Sequence, residues 1–554
     1  MKSVIERYSN YVCSLLQDEH PTCIIYGSST TGICTSDIDA CIITDHDLSP
    51  ERKQHVIERL VAFMEGEGII IDDEIPFANK LLFSKAEADF FSAHSPFERS
   101  DGSYHIDRIE KTPQYLGSAQ MRHRLWCNIV TTDHLVTCGD QTFVEVCSEC
   151  AWIKMLEVLL DLNPNFKDAA PETFLEILYR DPHTCWEGEN YLGYKNNNAR
   201  KQIYLLRSLH KYLPTVQSRR VNAAQNCNPF FPTPTMLADI RQMIPDLLCY
   251  PEFDNHSLQE EAARVFSVPA ENVLFTNGAM EAIQIAVCAG EDWAVPTPAF
   301  WGYSAAARIT GRGYTEYPMR EGLWETKLRD ICAGHRGVFL CYPNNPAPQD
   351  LEKADLLKLV SDYPGCHFVI DESMLPFHRD YRNQTLIPHV CAFDNLTVLL
   401  SLSKISGMCG MRGGLLFAGR KNIAEMSGRA RKYTANTMSQ RFFTRYLEQL
   451  LGCDKFRREI RETFDFLIRK LQGCPGIRKI TNVEVPFILV EFDSNISVEG
   501  LKKHLLEERI DIMYPHDSYP EVSGAVIRIS ACTKPDARRI ADSIRCYCSK
   551  EVAD

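Results

Sequence analysis

Leu396-Thr397-Val398-Leu399-Leu400-Ser401-Leu402-Ser403-Lys404, followed by Gly407, Gly410, Arg412, Gly413 and Gly414, is the stretch on which the fold turns. An apolar, β-branched run reads as a buried strand, and here it ends in two hydroxyls and a lysine. An amine at the end of a buried strand meets little water, which favours the neutral nucleophile that attacks an aldehyde. Ser401, Ser403 and Arg412 are donors of the kind a dianionic phosphate needs, and arginine binds such a group with two parallel hydrogen bonds. The glycines let backbone approach closely. Alone, the stretch also reads as an exposed loop carrying a lysine.

The segments upstream narrow the choice. Val369-Ile370-Asp371-Glu372 is an apolar strand ending in a carboxylate, suited to a protonated ring nitrogen. Tyr342-Pro343-Asn344-Asn345-Pro346 is a turn carrying a side-chain amide. Phe275-Thr276-Asn277-Gly278-Ala279-Met280-Glu281 reads as strand, glycine turn and helix start, a seat for an anion. Phe300 offers an aromatic face.

In this order and spacing the segments resemble the fold-type-I pyridoxal-phosphate (PLP) enzymes, most closely the histidinol-phosphate aminotransferase and threonine-phosphate decarboxylase group. The resemblance runs from about Asn226 to the carboxy terminus and takes in Asn226-Cys227-Asn228-Pro229 and Tyr250-Pro251. It implies that Lys404 forms the Schiff base, Asp371 holds the ring nitrogen, Asn345 the ring oxygen, and Phe300 stacks on the ring. Ser401, Ser403, Arg412 and the amides at Gly278-Ala279-Met280 are implied to hold the phosphate. Tyr250 would reach the phosphate of a neighbouring subunit in a homodimer, and Arg528 would clamp the substrate α-carboxylate. One position departs from the aminotransferase pattern: three residues after Asp371, where a tyrosine is usual, stands Met374. Decarboxylase-like members also tend to lack that tyrosine, so the bond broken at Cα stays open.

Near the amino terminus, Ile24-Ile25-Tyr26-Gly27-Ser28 is followed by Thr35-Ser36-Asp37-Ile38-Asp39-Ala40-Cys41-Ile42-Ile43. Two aspartates one residue apart on a strand point the same way and suit a divalent cation, while a Gly-Ser turn at a helix start suits nucleotide phosphates. This pattern resembles the DNA-polymerase-β nucleotidyltransferase superfamily over about residues 1–140. The resemblance implies Mg²⁺ on Asp37, Asp39 and a third carboxylate, for which Glu74 is preferred, with ATP or CTP seated at Gly27 and Ser28. Tyr191-Leu192-Gly193-Tyr194-Lys195 reads equally as an acceptor loop and as plain surface.

A chain of 554 residues divides into two or three domains. The expected architecture is α/β: a nucleotidyltransferase domain (1–140), a helical segment and linker (141–215), and an aminotransferase-like domain (216–554) with a small part from about 430. Leu125 to Val130 reads as a strand, and Glu145 to Leu162 and Lys201 to Leu213 as helices broken at Pro214. The net charge of −13 argues against nucleic acid, which requires clustered cations. No apolar run reaches the ~20 residues of a membrane helix and no signal-peptide core is visible, so the expected location is the cytoplasm, with the 22 cysteines reduced. Cys147 and Cys150 have metal-ligand spacing, but buried helix cysteines are the better reading.

Together these readings predict a bifunctional biosynthetic enzyme: PLP chemistry on an amino acid or phosphorylated amine, coupled to nucleotidyl transfer to a small acceptor. A PLP-dependent decarboxylase with an active or merely regulatory first domain is the alternative.

Overall fold

The computed structural model describes residues 2–27, 30, 38–69, 81–98, 118–162, 167–180, 199–319, 324–346, 351–482, 484–519, 522 and 524–553. Asp37, Ser28, Glu74 and the stretch 191–195 lie outside them. Two compact units emerge. The first comprises Met1–Arg219 with Thr233–Gln242, the second Arg220–Pro232 with Met243–Asp554.

The first unit is built on four strands in the order β3-β2-β1-β4, where β1 is Thr22–Tyr26, β2 Ala40–Thr44, β3 Leu82–Ser84 and β4 His134–Cys138. Side-chain alternation along β1 and β2 serves two cores. Cys23, Ile25 and Ile42 pack with Tyr8, Val12 and Leu60 on one face; Ile24, Cys41 and Ile43 pack with Phe83, Trp126 and Trp152 on the other. Burial on both faces explains why these strands read as unbroken apolar runs.

Leu125 to Val130, expected as a strand, lies within helix Ala119–Thr131. Ser118 caps that helix by accepting from Met121 N at 3.1 Å. A short apolar run is ambiguous between a strand and a buried helix until its flanks are considered. The expected break at Pro214 is also displaced, because helix Ala199–Gln217 continues through it. A proline removes one helical donor without always ending the helix. Cys147 and Cys150 lie on helix Gln141–Leu162.

The second unit carries a seven-stranded sheet of order β6-β12-β11-β10-β9-β7-β8. Its strands are β6 Val273–Thr276, β7 Asp292–Thr297, β8 Gly313–Pro318, β9 Gly337–Cys341, β10 His367–Asp371, β11 Leu396–Ser401 and β12 Gly414–Ala418. All run parallel except β12, which is antiparallel to both neighbours. Phe339, Val369, Leu399 and Leu416 line the core beneath helix Ala279–Cys288. A smaller sheet of β13 (Ile477–Asn482), β14 (Phe487–Phe492) and β16 (Val526–Ser530) follows, and β15 (Ile510–Ile512) pairs with β5 (Val221–Ala223).

Candidate active site

The carboxyl ends of parallel strands are where open α/β sheets bind ligands, and the chemistry-bearing residues of the second unit gather there. The register aligns Ser401 with Gly414 and Gly414 with Thr276. Because β12 runs backwards, Arg412 just before it and Gly278 just after β6 reach the same edge. Arg412 itself has a left-handed backbone (φ 59°), and its Nη1 donates to Cys409 O at 3.0 Å and lies 3.5 Å from Ser403 Oγ.

Gly278 caps helix Ala279–Cys288 with φ 88°. A Cβ there would lie 2.5 Å from Arg412 Nη2, so glycine alone admits the guanidinium over the helix start. First-turn amides have no intrahelical acceptor, and those of Ala279 and Met280 stand beside Arg412 as further donors. Asn277 Oδ1 is buried without a hydrogen-bond partner. The Ser403 hydroxyl, the helix start and the guanidinium thus lie at one end of the sheet.

Asp371, at the end of β10, is buried. Its Oδ2 accepts from Tyr303 at 2.7 Å and its Oδ1 from Ser373 N at 2.9 Å. Burial pushes the carboxyl up from its ordinary range, opposed by the bonds from Ser373 and Tyr303 and by the charge of Lys404. Ser373 Oγ in turn accepts from Ser401 N at 3.0 Å, tying β10 to β11. Lys404, half-buried, sits one turn beyond β11 on the short helix Leu402–Ile405. Tyr303 was missed by sequence reasoning; the aromatic run beginning at Phe300 was its one signal.

Asn345 and Arg528 come together across 183 residues: Arg528 Nη1 donates to Asn345 Oδ1 at 2.6 Å and Nη2 to Ala224 O at 2.5 Å. Arg528 Nε is buried without an acceptor, and burial lowers the guanidinium to about 10. A buried guanidinium bonded to neutral oxygens, with one donor left over, is a place for an anion. Phe300, half-buried, packs beside Gly302 and Met280. Tyr250 stands apart: it is 86% exposed, its ring 5.6 Å from that of Tyr433.

Residues 220–544 match the family described as aminotransferase class I and II. The chain belongs to that family. A histidinol-phosphate aminotransferase of Caldanaerobacter subterraneus subsp. tengcongensis is 28% identical over 269 residues, covering 47% of this chain and 74% of that protein. The crystal structure of L-threonine-O-3-phosphate decarboxylase from Porphyromonas gingivalis superposes with a TM-score of 0.53 at 22% identity, over 59% of this chain and 99% of that one. That of histidinol-phosphate aminotransferase from Sinorhizobium meliloti, in complex with pyridoxal-5′-phosphate, gives 0.55 at 17% identity, over 60% and 91%. The carboxy-terminal unit is thus a fold-type-I, PLP-dependent domain of the aminotransferase family, and the donor set described above fits that cofactor.

In the first unit Gly27 and Asp39 lie beside each other at the adjoining ends of β1 and β2. Tyr26 N donates to Asp39 O at 3.0 Å, and Asp39 Oδ2 lies 2.7 Å from where a Gly27 side chain would begin. Among the described residues no helix is long and apolar enough to cross a membrane.

Proposed function

We propose that this class I/II aminotransferase acts on an amino acid or phosphorylated amine and that its first unit transfers a nucleotidyl group to a small acceptor. The observation that carries the PLP half is the Arg412 guanidinium against Gly278, at the sheet edge that also bears Asp371 and Lys404. Lys404 is the residue that links covalently to the cofactor aldehyde. Ser401, Ser403, Arg412 and the amides of Gly278, Ala279 and Met280 hold its phosphate; Asp371 holds the ring nitrogen, Asn345 the ring oxygen, and Phe300 covers the ring. Bound PLP supplies a sink for the electrons released when a bond at the substrate Cα breaks. Arg528 receives the substrate carboxylate with its unsatisfied Nε. Tyr250, exposed in a single chain, would serve a second copy's cofactor in a homodimer.

Purified protein should be yellow, and borohydride should fix the cofactor on Lys404 as a mass adduct. Lys404→Ala should lose both colour and adduct. A wild type that stays colourless in added PLP overturns the reading.

Met374, buried three residues after Asp371, supplies no hydroxyl there and favours decarboxylation as a second reading. Carbon dioxide release without 2-oxo acid formation would select it.

For the first unit, Asp37, Asp39 and Glu74 would hold Mg²⁺, which neutralises charge on the nucleotide phosphates, while Gly27 and Ser28 seat those phosphates. The close approach of Asp39 to Gly27 supports this reading. Asp39→Asn in the full-length protein should abolish Mg²⁺-dependent pyrophosphate release from ATP or CTP while the yellow colour persists. Retention of full transfer by that variant overturns the assignment. A phosphorylated amine handled by the PLP half would be the acceptor, since fusion raises the local concentration of a shared intermediate. Mass spectrometry after incubation with four nucleoside triphosphates and phospho-amino acids should find a nucleotide-linked amine.

A further inference from the structure

Cys227 and Cys409 are 182 residues apart, yet their sulfur atoms lie 2.7 Å from each other. Both are half-buried. The loop around Cys227 is fastened to the loop after Lys404: Asn228 N donates to Lys404 O at 2.9 Å and Asn228 Nδ2 to Ile405 O at 3.1 Å. Gly407 completes the approach, because a Cβ there would meet the carbonyls of Asn228 and Phe231. Cys409 opens the turn Cys409–Met411, immediately before Arg412.

A disulfide needs a sulfur separation of about 2.05 Å, so closing the pair requires a shift of roughly 0.6 Å. The first unit holds a similar pair, Cys13 and Cys138, also 2.7 Å apart, but the surroundings differ. The bond from Cys227 and the charges of Lys404 and Arg412 favour the Cys409 thiolate, bringing it to about 6, while its partner Cys227 is pushed up; Cys138, the corresponding raised partner in the other pair, reaches about 12 through burial. Thiolate character and access decide which cysteine an oxidant finds first.

We propose that Cys227 and Cys409 are a redox modification site, closed by hydrogen peroxide to a reversible disulfide that loosens the phosphate seat at Arg412. The Cys409 thiolate attacks one peroxide oxygen, the O–O bond breaks, and hydroxide leaves, taking a proton to become water. The sulfur of Cys227 then attacks the resulting sulfenic acid. The S–S bond forms, the S–O bond breaks, and the hydroxyl departs as water with the Cys227 proton. Two electrons pass from the sulfurs to peroxide; a dithiol returns them by exchange. Arg412 Nη1 holds the Cys409 carbonyl at 3.0 Å but lies at the 3.5 Å limit from Ser403 Oγ. A pull on Cys409 is passed to Arg412 through that carbonyl, and the Ser403 contact is the weaker of the two holds on the guanidinium. The effect on the cofactor rests on reading Arg412 as the phosphate anchor; the bond itself does not.

The test uses the full-length protein with PLP bound, treated with equimolar peroxide, blocked with N-ethylmaleimide and digested. Wild type should give a Cys227–Cys409 cross-linked peptide that dithiothreitol abolishes, and the oxidised protein should bind PLP about tenfold more weakly than the reduced one. Cys227→Ser should instead leave a sulfenic acid on Cys409 that dimedone traps. Absence of the cross-link, its appearance at Cys13–Cys138 first, or sulfinic acid on Cys409 in wild type each overturns the modification site. A cross-link that leaves PLP affinity unchanged overturns its control of the seat. Failure to bind PLP even when reduced would instead sink the cofactor reading, with the cross-link still scored.

Discussion

At the level of single side chains, the Tyr303 hydroxyl and the Asp371 carboxylate meet in a buried pocket where water competes with neither. The bond lowers the carboxyl against the upward push of burial, so its removal moves the group further up. In Tyr303→Phe the acidic limb of the pH–activity profile should therefore shift to higher pH, with maximal activity reduced by about tenfold. An unmoved limb would make Tyr303 merely structural. Gly278→Ala places a methyl on the Arg412 guanidinium at a positive φ, and PLP affinity should fall by about ten- to a hundredfold. A cofactor titration reads it directly. Asp371 was legible in the sequence because a carboxylate that ends an apolar strand stands out against its neighbours. Tyr303 was not, because it lies on helix Gly302–Thr310 and its partner is 68 residues away at the end of β10, and nothing local records that pairing. Met374 was visible as a departure, though its burial was not.

At the level of elements, patterning revealed β6, β10 and β11, whose apolar runs end in polar turns. The sheet order was hidden, since the reversal of β12 arises from pairing with β6 and β11 rather than from its own residues. The helix Ala119–Thr131 eluded its apolar pattern for the reason given by Ser118: the cap, one residue before the helix and well ahead of the run at Leu125, decides between helix and strand. A comparable cap starts helix Lys85–Ala93, where Ser84 Oγ accepts from Glu87 N at 3.2 Å and Glu87 Oε2 accepts from Ser84 N at 3.0 Å. Ser84→Ala should cost about 1 kcal/mol, seen as faster amide exchange in that helix with Asp454–Leu471 unaffected. Equal loss of protection in both helices would show that the cap acts globally.

For the whole molecule, each unit holds a neutral histidine, buried in the first and half-buried in the second. His123 Nε2 lies 2.8 Å from Phe91 O and 2.9 Å from His94 O in the first, and burial lowers it to about 4; His367 is likewise lowered to about 4 in the second. Both folded values lie below the ~6.5 of an unfolded histidine. The stability that each neutral ring contributes is complete above that pH and is lost as pH falls toward 4, by at most about 3 kcal/mol apiece. Glu372, raised to about 7 by burial in the second unit, works oppositely, since acid relieves the cost of its buried charge; Asp89, also raised, does so to some degree in the first. On acidification from pH 7 to 4.5 the first unit should lose hydrogen-exchange protection before the second, and His123→Gln should narrow the gap. Simultaneous loss in wild type and variant would sink this account.

The stretch Thr233–Gln242 belongs to the first unit although the sequence around it belongs to the second. Thr235 N donates to Asp89 Oδ1 at 2.6 Å, and Leu237 and Ala238 join the first unit's core. The polypeptide therefore changes allegiance three times, and no single scission yields two self-sufficient fragments. A protein cut at residue 216 would give one piece missing a helix it packs against and another carrying an apolar helix with nowhere to go. A ribosome would have to deliver some two dozen residues past Arg219 before the first unit has all its parts, so the two halves ripen as interleaved pieces rather than in turn.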